Sequence, residues 1–157
     1  MKKLLLVITC LLFSANSHAE ELPDWYAKVL KVKNPNELAY YAYVDTECGI
    51  TGNQLQETIE DIMIRSRIKP VLTTNSSALT TNSPIYLRVV AECGLMDDDD
   101  RIYNLSIDFA RYIPKPAVLY DMPYGSFGVA PADLILNKVK NYTEEAITDY
   151  IKVNFDL

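Results

Sequence analysis

Two stretches of the chain alternate apolar and polar residues with a period of two. In the first, Ile85, Leu87, Val89, Ala91 and Cys93 fall on one side, and Tyr86, Arg88, Val90 and Glu92 on the other. In the second, Tyr103, Leu105, Ile107 and Phe109 oppose Asn104, Ser106, Asp108 and Ala110. A period of two with one polar side predicts antiparallel strands packed on one face only. The segment between them, Gly94 to Asp100, is short and polar enough for a hairpin loop. A third run, Leu38 to Thr46, is rich in aromatic and β-favouring residues and reads as a strand.

Two other stretches carry the helical period. Thr51 followed by Gln54 has the form of a capping box, and Leu55, Ile59, Ile62 and Met63 make one apolar stripe, which predicts a helix from about Gly52 to Ser66. Pro70 ends any continuation, and Val71 to Thr73 reads as a short strand or an edge. Pro131 starts a long helix with a stripe at Ile135, Val139, Tyr142, Ala146 and Tyr150. Near the front, Pro23 suits a first helical position, with Trp25, Val29 and Leu30 sharing a face before Asn34-Pro35-Asn36 breaks the helix. Residues 73–84, TTNSSALTTNSP, read as a polar loop, and Val118 to Tyr120 as a further short strand. "YGSFG", Tyr124 to Gly128, reads as a tight connection into the last helix. It lacks the lysine and spacing of a phosphate loop. The order predicts a two-layer α+β domain, with a mainly antiparallel sheet of three to five strands and two or three helices on one face.

The first nineteen residues stand apart. Lys2 and Lys3 precede an apolar run from Leu4 to Phe13, and Ser17 and Ala19 are small residues placed for cleavage. That is the pattern of a secretory signal peptide, cut before Glu20 and leaving one domain from residue 20 to 157. The run is about half the ~20 apolar residues a membrane span needs. The expected location is periplasmic or secreted, without membrane insertion after cleavage. Losing Lys2 and Lys3 takes the formal charge from −6 to −8. An acidic chain with no basic cluster is a poor partner for nucleic acid.

Cleavage also removes His18, the chain's one histidine. Histidine-based triads and histidine-ligated zinc then have no residue to use. Cys48 and Cys93 remain, and in an oxidising compartment such a pair predicts a disulfide. A full antiparallel strand at residues 71–73 would drive the two apart, whereas an edge or a loop there lets them meet.

Candidate chemistry is sparse. Asp97 to Asp100 are consecutive, with no following glycine and with Arg101 next, so they do not fit a calcium loop. They read as a solvated hairpin tip, with a weak cation site as the alternative. Asp45, Glu47, Asp108 and Asp121 are the carboxylates a small hydrolase would need, but their spacing pairs none of them. No cofactor is expected. The chain has 11 tyrosines. Tyr40, Tyr41 and Tyr43 fall in the first predicted strand, and Tyr86 lies beside Arg88 on a face expected to be the more exposed. Such an amphipathic surface suits contact with a protein or a glycan. Asn75, Asn104 and Asn141 head glycan acceptor triplets, relevant only in a eukaryotic host. The expected function is an exported non-enzymatic module that binds another macromolecule, with a carboxylate hydrolase as the alternative.

Overall fold

The computed structural model describes residues 22–73, 85–96, 100–111, 118–119, 124–155 and 157. Residues 1–21, which hold the expected signal peptide, residues 74–84 and Asp97 to Asp99 lie outside them. So do Asn75, Tyr120 and Asp121.

Strand β1, Glu37–Val44, carries Leu38, Tyr40, Ala42 and Val44 toward the core. Helix α2, Gly52–Arg65, follows, and its start is fixed by the predicted capping box: Thr51 accepts from the Gln54 amide at 3.2 Å, and the Thr51 amide donates to Gln54 Oε1 at 2.8 Å. Leu55, Ile59, Ile62 and Met63 are all buried. The helix ends in a Schellman arrangement, with Arg67 N–H on the Ile64 carbonyl and Ile68 N–H on the Met63 carbonyl, both at 2.9 Å. Arg67 occupies the left-handed position at φ 59°, where glycine is the usual choice.

Strand β2, Lys69–Leu72, then lies parallel to β1, with Glu37 opposite Lys69 and Tyr40 opposite Leu72. Parallel neighbours need a crossover, and α2 supplies it. Pro70 is tolerated because β2 is an edge strand. Strand β3, Ile85–Leu95, pairs with the other side of β1, again in parallel. Strand β4, Arg101–Arg111, pairs antiparallel with β3 along its whole length, from Ile85 opposite Arg111 to Leu95 opposite Arg101. The hairpin is closed by Met96 N–H on the Asp100 carbonyl at 3.0 Å.

The far side of β4 is shared by two strands. The short β5, Val118–Leu119, pairs with residues 110–111, and β6, Tyr124–Ala130, pairs with residues 101–107. The expectation of a connecting loop at Tyr124 to Gly128 is therefore corrected. The segment is a strand, and its glycines serve packing: a Cβ at Gly125 would stand 2.2 Å from the Leu105 carbonyl oxygen, and Gly128 lies under the Tyr103 ring. The sheet is thus mixed, in the order β2-β1-β3-β4, with β5 and β6 beside β4.

Three helices cover one face. α1, Asp24–Leu30, buries Tyr26 and Leu30, not the expected Trp25, which is 52% exposed. Pro23 precedes the helix rather than opening it, and its carbonyl receives the Tyr26 and Ala27 amides. Helix α3, Ala132–Phe155, buries Ile135, Val139, Ala146 and Tyr150 as predicted. Thr143 and Ile147 are buried as well, and Tyr142 sits at the margin. Asn154 ties α1 to α3: its amide donates to the Leu30 carbonyl at 3.0 Å and its carbonyl accepts from the Val32 amide at 2.9 Å. One of the carbonyls left over at the end of α1 is thereby satisfied. The core between helices and sheet is built from Tyr26, Leu38, Tyr40, Leu87, Ile107 and Phe109, with the Phe109 and Tyr150 rings stacked 5.9 Å apart.

Candidate binding face

Among the described residues, the sheet's other face carries no helix. Its residues follow from strand parity and register. Ala39, Tyr41 and Tyr43 of β1 lie beside Tyr86, Arg88 and Val90 of β3. Those in turn face Ala110, Asp108 and Ser106 of β4. Phe127 and Val129 of β6 pair with Asn104 and Ile102.

At the centre, Arg88 grips Asp108 with two donors, Nε to Oδ1 at 3.1 Å and Nη2 to Oδ2 at 2.6 Å. Nη2 also reaches Ser106 Oγ at 3.0 Å, and Ser106 Oγ donates to Asp108 Oδ2 at 3.0 Å. Asp108 is only 5% exposed. A carboxylate so buried needs its charge matched, and the planar guanidinium does that with two bonds. The hydrogen bond to Asp108 holds the Arg88 guanidinium even more firmly protonated than usual. Tyr86 stands beside this cluster, partly buried, and burial raises its hydroxyl pKa while Arg88 pulls the other way. Of the predicted surface pair, then, Arg88 is held within the face and Tyr86 lies against it.

The tyrosines of β1 divide by parity. Tyr40 points into the core, where its hydroxyl donates to Glu60, while Tyr41 and Tyr43 stay on the helix-free face. Tyr43 donates to Asp45 Oδ1 at 2.5 Å, which raises its own pKa, and Asp45 Oδ2 accepts from the Cys93 amide at 3.3 Å. Asn104 donates to Glu92 at 3.1 Å. Tyr103 belongs to the core side, with Lys138 Nζ 5.8 Å from its ring centre.

Cys48 and Cys93 are joined, with Cα atoms 5.0 Å apart. Cys48 ends a 3₁₀ turn, Thr46–Cys48, directly after β1, and Cys93 lies near the end of β3. Because β1 and β3 are parallel, their ends meet. The strand at Lys69–Leu72 does not oppose this, since it is an edge strand parallel to β1 and not antiparallel to its neighbour. Arg101 crosses to the same turn and donates to the Glu47 carbonyl at 2.8 Å.

Of the carboxylates considered for a hydrolase, Asp121 lies outside the described residues and the other three are not assembled. Asp108 is engaged by Arg88, Asp45 by Tyr43 and the Cys93 amide, and Glu47 lies on the 3₁₀ turn. No group of three or more metal-ligating side chains occurs among the described residues. A groove of about 330 Å³ opens between β1, the end of β2 and the first turn of α2, lined by Tyr41, Gly52, Gln56 and Leu72 and holding no carboxylate. Among the described residues no helix is long and apolar enough to cross a membrane.

The sequence reading missed Ser106, which completes the Arg88–Asp108 cluster, and Phe127 and Val129. A signal for the last two existed. Tyr124, Ser126 and Ala130 alternate with Phe127 and Val129, but the two glycines masked that period. No protein-family model and no curated protein sequence matches the chain.

Proposed function

We propose that this protein is an exported, non-enzymatic module that recognises another macromolecule of the cell envelope or beyond it. The observation that carries this reading is the helix-free sheet face. It presents Tyr41, Tyr43 and Tyr86 around a fixed Arg88–Asp108–Ser106 cluster. Aromatic rings with a polar tip give large contact area with little entropy to lose, and the ion pair holds β3 and β4 in register beneath them. The Cys48–Cys93 disulfide is compatible with an oxidising compartment, as the leader pattern at Met1 to Ala19 requires. Asp45 and Asp108 have separate partners, and no observation favours the hydrolase.

Affinity capture from the envelope fraction of the native host tests the proposal. Wild type and a Tyr41→Ser/Tyr86→Ser variant are compared after equal melting temperatures are checked. A partner retained by wild type and lost by the variant supports the reading. Equal capture by both, or hydrolysis of envelope glycan by wild type, refutes it.

A further inference from the structure

The two edges of the sheet are built differently. The edge strand β2 is four residues long and contains Lys69 and Pro70. Charge, proline and shortness are the devices that stop a foreign strand from pairing with an edge. At the opposite edge β6 has seven residues, Tyr124-Gly-Ser-Phe-Gly-Val-Ala130, with no charge and no proline. Among the described residues it pairs with β4 alone.

The same edge carries the most exposed apolar side chains of the helix-free face. Phe127 is 86% exposed, and Val129 and Ile102, cross-strand partners, are each 54% exposed. Met96, nearly half exposed, continues the patch past the end of β3. A phenylalanine left almost wholly in water on an unblunted strand is a cost without a folding benefit.

Charge selects the occupant. On this face Arg88 is matched by Asp108 and Lys69 by Glu37, while among the described residues Glu92 accepts from the Asn104 amide and Asp45 from the Tyr43 hydroxyl and the Cys93 amide, all neutral donors. Asp100 adds an exposed carboxylate at the hairpin end. The full chain carries a net charge of −6. Two copies of so acidic a chain repel, whereas a cationic segment is attracted.

We infer that β6 is an acceptor edge for an extended, cationic segment of a partner protein, which adds to the sheet as a further strand beside Phe127 and Val129. The inference rests on the binding reading above and gives it a location and a partner chemistry. Main-chain hydrogen bonds supply affinity in such strand addition, and alternate side chains supply specificity. Here one side of the added strand would cover Phe127 and Val129 with apolar residues, and its basic residues, directed to the other side, would be attracted by the net negative charge of the chain.

The test uses the full exported protein and a blocked synthetic peptide of alternating lysine and valine. Controls carry glutamate in place of lysine, or proline in place of alternate residues so that ladder donors are lost. Binding is followed by calorimetry and by hydrogen exchange of the β6 amides. The lysine–valine peptide should bind and protect residues 124–130. The glutamate and proline peptides, and the Phe127→Lys variant, should each bind at least about tenfold more weakly. Phe127 is exposed, so the variant should melt as wild type does; a second variant, Val129→Lys, repeats the test independently. Equal binding to Phe127→Lys and Val129→Lys, no binding at all, protection mapping to β1 and β3 only, or dimerisation through β6 without peptide would each overturn the inference. Envelope capture separates the two claims. A partner lost by Tyr41→Ser/Tyr86→Ser but kept by Phe127→Lys leaves the binding function standing and removes β6 as its site.

Discussion

Removing the Cys48–Cys93 bond should cost this protein a large share of its stability. The cysteines are 45 residues apart in sequence. Between them run α2, β2 and the whole connection to β3. In the unfolded chain the bond forbids the expanded conformations of that loop. The chain-entropy relation puts the loss at about 4 kcal/mol for a loop of this size. Against a domain stability of about 5–15 kcal/mol, that is roughly a quarter or more of the total. The native state adds a smaller term, because Cys48 is fully buried and its sulfur packs in the core. Alanine is the right replacement, since serine would bury a hydroxyl.

Urea unfolding of wild type, reduced wild type and Cys48→Ala/Cys93→Ala provides the assay. The double variant and the reduced protein should agree within about 1 kcal/mol, and both should lie roughly 4 kcal/mol below the oxidised protein. Their m-values should be larger, because the uncrosslinked unfolded chain exposes more surface. A loss under about 1 kcal/mol with unchanged m would refute the reasoning, since it would mean that the bond does not restrict the unfolded ensemble.

Four further outcomes follow from single sites. Arg67→Gly should stabilise by about 0.5–1 kcal/mol in thermal or urea melts, because it places glycine at φ 59° in the Schellman turn. Thr143 is fully buried and its hydroxyl has no partner among the described residues, so Thr143→Val should gain about 1 kcal/mol, and any loss would contradict that account. Arg88→Met leaves the Asp108 carboxylate buried and unmatched; allowing for the quarter-exposed Arg88 side chain, it should cost about 2–3 kcal/mol, most of it recovered in Arg88→Met/Asp108→Leu. Burial holds the hydroxyls of Tyr40, Tyr124 and Tyr150 above the ordinary pKa of 10.0, so the unfolded chain ionises first. Stability should be fully present below pH 10 and fall above it by about 1.4 kcal/mol per pH unit for each of these tyrosines, as read by melts alongside ultraviolet tyrosinate titration.

How much of this was legible in the sequence depended on whether a signal was local. The capping box and the stripe from Leu55 to Met63 act within one helix, and the helix formed as read. The alternation from Ile85 to Cys93 and from Tyr103 to Phe109 fixed a hairpin whose two strands are adjacent in sequence. Strand order was not local. Nothing in Leu38 to Val44 says whether its neighbours run parallel, and the crossover through α2 decides it. Trp25 illustrates a weaker limit. One helical turn offers two apolar choices, and packing against α3 selected Tyr26 and Leu30. In β6 the glycines that made the segment look like a turn fit the packing: the Leu105 carbonyl leaves no room for a Cβ at Gly125, and a Cβ at Gly128 would crowd Tyr103. The candidate face was legible in part. Tyr86 and Arg88 were placed on the correct side by parity, but the burial of Asp108 beneath Arg88 depends on β4 lying alongside, which no single strand reports.

The position of the disulfide bears on function as well as stability. In open sheets with parallel strands, small ligands sit outside the carboxyl ends of the strands, where the chain order reverses. Here the chain goes from β1 to β2 on one side and returns to β3 on the other, so the reversal falls between β1 and β3. That place is filled. The Thr46–Cys48 turn lies across it, the Cys48–Cys93 bond staples it, and Arg101 reaches over to the Glu47 carbonyl. Gly49 is pressed against the Arg101 guanidinium and Ala132, so that even a methyl group added there would meet atoms at 2.9–3.0 Å. With that crevice closed by a covalent bond and a 3₁₀ turn, the broad face and the unblunted edge are, among the described residues, the surfaces left for the recognition proposed above. Both are suited to an extended partner, because a sheet face and a strand edge offer repeated contacts along a line and not a point of chemistry.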